Sequence, residues 1–162
     1  NWMNSYSGYL ADIAKWWSEN ISPDWLNLRS ETYGILQRED TLKEIVKLLG
    51  PEALPDEEKL ILEVARMIKI GILQQNSFDD VDTYCSPEKQ FKLMKLQVDF
   101  YNQGQQALKD GASLADIRSM EVISSLLKAR MDVKDDEMDK LDKLATDMVE
   151  QFKSVTGVKV QN

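Results

Sequence analysis

Apolar residues recur every three or four positions along most of the chain with charged residues between them, the rhythm of helices that bury one face. No sustained alternation of the kind strands require is present. The first long segment opens at Ser22-Pro23-Asp24, where serine can cap and proline can take the first helical position. It runs to about Leu49, with Leu26, Leu28, Ile35, Leu36, Leu42, Ile45, Val46 and Leu49 as its buried stripe. Arg29, Glu31, Arg38, Glu39, Asp40, Lys43 and Glu44 fall on the solvated side, and Gly34 is a weak point midway. Upstream, Tyr9, Ile13, Trp16 and Trp17 fit a short helix ending near Asn20. Neighbouring residues of a helix point about 100° apart, so either one of the paired tryptophans fills the core while the other stays half exposed, or this end packs against a further domain.

Gly50, Pro51 and Pro55 forbid a continuous helix, and the chain must reverse there. A second helix starts at once. Asp56, Glu57 and Glu58 supply carboxylates to its first turn, where unpaired amides carry partial positive charge. Leu60, Ile61, Val64, Ala65, Met67, Ile68 and Ile72 form its buried face, opposite Glu63, Arg66 and Lys69. The two helices therefore form a long antiparallel hairpin with a six-residue turn and an acidic tip.

Beyond Gln74 the pattern fails. Gln75-Asn76-Ser77 compete for backbone hydrogen bonds, and Phe78, Val81 and Tyr84 stand among acidic and hydroxylated neighbours that suit neither an amphipathic helix nor a strand. Those rings either plug the loop onto the bundle or grip something else. Periodicity resumes at Ser86-Pro87-Glu88, and Phe91, Met94, Leu96, Val98, Phe100, Tyr101 and Leu108 carry a helix to about Lys109, where Asp110-Gly111 stops it. After Ser113 one further helix buries Leu114, Ile117, Met120, Ile123, Leu126 and Leu127. The last helix, about Asp135 to Val155, uses Met138, Leu141, Leu144, Ala145, Met148, Val149, Phe152 and Val155, with Gly157 as its stop. The fold class is all-α: a bundle of about five to six helices forming a single domain over residues 1–162, with residues 1–8 as an irregular lead-in.

Composition narrows the chemistry. A net charge of −8 disfavours nucleic acid and anionic lipid as partners, and no apolar run is long enough to cross a bilayer. There is no histidine, which removes the commonest metal ligand and general base, and the single cysteine, Cys85, has no internal partner. Asp135, Asp136 and Glu137 suit a helix start better than a metal site. No glycine-rich phosphate loop is present, so the chain as it stands is not expected to hydrolyse a nucleotide. Its beginning at Asn1-Trp2-Met3, in mid-phrase, reads as an excised piece.

Two motifs carry a resemblance. Leu54-Pro55-Asp56-Glu57-Glu58-Lys59-Leu60 resembles the acidic helix-turn-helix loop with which catalytic subunits of rotary ATPases press on the central stalk. Leu73-Gln74-Gln75-Asn76-Ser77-Phe78 followed by Val81-Asp82-Thr83-Tyr84 resembles the segment that closes over the adenine of the bound nucleotide. The passage Ser5-Tyr6-Ser7 and the helix around Lys15-Trp16-Trp17 are similar to the stretch that follows the nucleotide-binding core in the same family. The resemblance is to the C-terminal helical domain of the catalytic A subunit (alpha chain) of archaeal A-type and vacuolar-type rotary ATP synthases.

It implies a non-catalytic domain of a proton- or sodium-translocating ATP synthase, peripheral to the membrane on the cytoplasmic side. It also implies ATP or ADP with magnesium held by the preceding nucleotide-binding domain, B subunits in an alternating A3B3 hexamer, and a central stalk as partners. Phe78, Val81 and Tyr84 would line the adenine pocket, and Leu54, Pro55, Asp56, Glu57, Glu58 and Lys59 would meet the rotor. The competing reading is a free-standing helical adaptor that binds partner helices through its tryptophan-rich end. A phosphate-loop domain encoded directly before Asn1 would separate the two.

Overall fold

The computed structural model describes residues 24–74 and 85–160, together with the isolated positions 8, 11, 15, 16, 19 and 20. Helix α1 spans Asp24–Leu49 without a break at Gly34. Its buried face is Trp25, Leu28, Thr32, Ile35, Leu36, Glu39 and Leu42, a run spaced by three and four that includes a charge. The stripe expected from the sequence needs two corrections: Leu26 and Leu49 are 61% and 72% exposed. Trp25 takes the core position beside Leu26, and Leu49 lies past the last turn that α1 packs against the bundle.

The reversal falls where glycine and proline require it. Gly50 adopts φ 84°, ψ 160°, a conformation that side chains beyond hydrogen rarely tolerate. One 3₁₀ turn, Pro51–Ala53, follows, and α2 begins at Asp56 and runs to Ile68. Leu60, Val64, Met67 and Ile68 are fully buried, each favoured by about 1.5–3 kcal/mol over exposure. The helix then widens into a π-helical stretch, Lys69–Gln74. The sequence predicts a regular helix fading at Gln74; the structure has π geometry over Lys69–Gln74 instead, with Ile72 buried as expected.

Helix α3, Pro87–Lys109, is the central element and packs against α1, α2 and both later long helices. Ser86 caps it as expected, its Oγ accepting from the Lys89 amide at 3.2 Å. At the other end Gly111, φ 100°, closes a Schellman motif: the Ala112 amide donates to the Ala107 carbonyl and the Gly111 amide to the Leu108 carbonyl. Gly104 lets α2 approach, since a Cβ there would sit 2.8 Å from Leu60 Cδ2.

The single helix expected after Ser113 is two, α4 (Leu114–Arg118) and α5 (Val122–Asp132). The Ser119 hydroxyl donates to the Asp116 carbonyl at 2.8 Å and ends α4 there. Gln151, from the last helix, accepts the free Val122 amide and starts α5 again. A 3₁₀ turn, Asp135–Glu137, precedes α6, Asp139–Val160. Gly157 does not stop α6, because it keeps helical geometry rather than a positive φ, and Val149 is 38% exposed instead of joining the stripe. Among the described residues the architecture is thus an all-helical bundle without strands, as the sequence indicates.

Gly34 offers a clean stability test. A Cβ there meets nothing within 4 Å, and the position is exposed in the interior of α1. Gly34→Ala is expected to stabilise the domain by about 0.5–1 kcal/mol in chemical denaturation through backbone entropy alone. A change of the opposite sign would show that the helix needs the glycine.

Candidate functional site

The turn between α1 and α2 is held from inside. Leu54 is buried at 5% exposure, so of the residues expected to meet a partner it instead anchors the turn in the core. The Pro55 carbonyl accepts from the Glu58 and Lys59 amides, both at 3.0 Å, which starts α2 without a side-chain cap. Glu58 pairs with Arg38 at 2.8 Å, and Lys59 pairs with Glu52 at 3.3 Å. The Glu57 carbonyl accepts from Gln105 Nε2 at 3.2 Å, tying the turn to α3. Pro55, Asp56 and Glu57 remain exposed.

Beside them, at the end of α1, Leu48 and Leu49 are 82% and 72% exposed. The sequence reading misses these two leucines as surface features, although a signal is there. Leu48 falls out of phase with the Leu42, Ile45, Val46 series, so one of the adjacent pair has to face outward. The tip therefore offers both an apolar pair and carboxylates.

Behind the tip, Glu39 is 4% exposed although the sequence suggests a solvated position. Its carboxylate is paired with Lys69, at the start of the π stretch, and lies 3.6 Å from Lys43 Nζ. Burial holds the Lys69 ammonium below the usual lysine range, with Glu39 opposing that effect. The pair joins the midpoint of α1 to the exit of α2.

The chain then passes into residues 75–84. Phe78, Val81 and Tyr84, the expected adenine-lining group, lie outside the described residues, as does Trp17. Trp16 is half-buried against the core. After this segment Cys85 is buried, and burial pushes its thiol pKa up, which leaves it a poor nucleophile. Lys89 Nζ, also buried, donates to the Arg130 carbonyl at 2.9 Å and to the Val133 carbonyl, capping the C-terminus of α5. Before residue 75, Gly71 lies against α5 as well: a Cβ there would be 3.2 Å from the Leu126 carbonyl oxygen.

Among the described residues no group of three or more Cys, Asp or Glu side chains comes together as a metal site, and no helix is long and apolar enough to cross a membrane. The Glu137 carboxylate accepts from the Lys134 amide at 3.1 Å and pairs with Lys140.

Residues 14–118 match the family described as the C-terminal domain of V and A type ATP synthase. The chain belongs to that family. It is 46% identical over 161 residues to the A subunit of the A-type ATP synthase of Hyperthermus butylicus, covering 98% of this chain and 27% of that protein. It is 46% identical over 158 residues to the corresponding A subunit from Ignicoccus hospitalis, covering 96% and 26%. To the V-type ATP synthase alpha chain of Halothermothrix orenii it is 40% identical over 152 residues, covering 94% and 26%. The chain thus spans about a quarter of the length of these relatives. As a V and A type ATP synthase C-terminal domain, it is a helical module whose first two long helices are joined by the turn of Gly50 to Pro55.

Proposed function

We propose that this domain closes over the adenine of ATP or ADP in a rotary ATP synthase and passes the resulting movement to the central stalk. The observation that carries the reading is the connectivity of α2. One helix runs from the exposed tip at Pro55 to Glu57 directly into the stretch that contains Phe78, Val81 and Tyr84. A stiff helix tied to α1 behind the tip by Glu39–Lys69 shifts as a unit, so closure at one end displaces the other.

In this reading Phe78 and Tyr84 stack on the base and Val81 packs against its edge. Phosphates and magnesium belong to the preceding nucleotide-binding domain, which this chain would follow from residues 1–8 onward. The assembled head alternates A and B subunits three times around a central stalk, lies on the cytoplasmic side of the membrane and couples to proton or sodium flow. Leu54 anchors the tip from within, while Pro55, Asp56 and Glu57, flanked by Glu58, Lys59 and the Leu48–Leu49 pair, face the stalk.

The base-gripping half is tested in the complete catalytic chain within its assembled head. Stacking a base on an aromatic ring contributes about 1–3 kcal/mol, so Phe78→Ala or Tyr84→Ala should raise the KM for ATP roughly five- to hundredfold. An unchanged KM in both variants removes these residues from the pocket.

The mechanical half is tested at the tip. Exposed ion pairs contribute only about 0–1 kcal/mol, so alanine at Asp56, Glu57 and Glu58 should leave ATP hydrolysis coupled to rotation. Loss of coupling in an intact assembly would mean that charge, rather than bulk and backbone placement, transmits the thrust.

A further inference from the structure

We propose that Lys69–Gln74 is a two-register hinge, in which the π turn seen here and an α turn of the same residues interconvert while α2 stays in place. Four observations meet at this point. The segment is π-helical over six residues at the end of an otherwise regular helix, so it holds one residue more per turn than its neighbours. Its upstream end is held by the pair of half-buried Lys69 with buried Glu39. Its middle, Gly71, lies close against backbone: a Cβ there would be 3.2 Å from the Leu126 carbonyl oxygen and 3.6 Å from Leu127 Cα, atoms of α5 that cannot swing aside. Finally, Gln97 of α3 is 1% exposed and its Oε1 has no hydrogen-bond partner among the described residues, while its Nε2 lies 3.1 Å from the place a Gly71 Cβ would take.

A buried amide oxygen without a donor raises the free energy of the arrangement that strands it. The turn beside it is itself of the less stable helical type. A neighbouring register that brings a main-chain N–H of the turn onto Gln97 Oε1 relieves both at once. Taking one residue out of the turn rotates the chain beyond it by about 100° and draws it along the axis by about 1.5 Å. That rotation reaches whatever follows Gln74 without any movement of the tip. It is thus a second degree of freedom, separate from the rigid shift of α2, and it stands whether or not the adenine reading holds.

The test is ¹⁵N relaxation dispersion on this chain, which reads exchange on the microsecond to millisecond scale. Amides of residues 70–74 should share one exchange process while those of Asp56–Met67 stay flat. Gln97→Met removes the stranded oxygen and keeps the bulk, and the dispersion should be lost. Gly71→Ala wedges the turn against α5 and should abolish it as well, so either variant that folds serves. A flat wild-type profile at residues 70–74 overturns the hinge by itself. So does dispersion that persists unchanged in the folded variant, because fraying of a helix end would not depend on Gln97 or on a methyl at position 71.

Discussion

Lys69→Met should lower the stability of the domain by about 3–5 kcal/mol in denaturant, the largest loss expected from any single charge here. The Glu39 carboxylate is 4% exposed, and removing its main partner leaves an ion that water cannot reach. Lys43 stands at 3.6 Å from the same oxygen but is half exposed and comes from one turn further along the same helix, so it offsets only part of the loss. The double variant Glu39→Leu with Lys69→Met should recover most of it, since an apolar pair of similar size carries no desolvation penalty. The two single variants and the double form a cycle read from denaturation midpoints at constant m-value. If Lys69→Met costs under about 1 kcal/mol, the pair is a surface contact in solution and does not lock α1 to α2.

Phe100→Ala should cost a similar amount, about 3–5 kcal/mol, for a different reason. Phe100 is fully buried on the central helix, and its ring packs on Phe152 of α6 with centroids 5.2 Å apart at 54°. Truncation opens a void between the two helices. For a domain of this size the melting temperature should drop by about 6–20 °C. A cycle with Phe152→Ala should show about 0.5–1.5 kcal/mol of coupling beyond the lost burial, the signature of a tilted aromatic pair. Independent, additive losses would show that the rings merely share a core without facing each other.

How far the sequence discloses this architecture depends on whether a residue type forces a backbone. Gly50 with Pro51, Ser86 with Pro87, and Asp110 with Gly111 place the helix ends correctly, because a missing amide, a capping hydroxyl or a positive φ leaves little choice. Gly157 misleads for the same reason inverted: glycine permits a stop without requiring one. Glu39 sits in phase with Thr32, Leu36 and Leu42, so periodicity points inward while charge points outward, and only the position of Lys69 decides. The break at Ser119 is invisible because Leu114, Ile117, Ile123 and Leu126 keep a helical rhythm across it; Gln151, from 29 residues away, supplies the cap. The π stretch is equally silent, being one residue of slack that tertiary contact stabilises. Of the candidate site, the acidic turn is legible and the outward leucines beside it are not. Family membership is legible from the motifs on either side of α2.

The exit of α2 and the start of α3 rest on one support. On the way out, Gly71 is pressed against the backbone of α5 at Leu126; on the way back, Lys89 grips the end of the same helix at Arg130. Moorings four residues apart on a single rod tie the π turn and the start of α3 to the same helix. The entropy of bringing these two ends of the bundle onto one helix is therefore lost once, on folding.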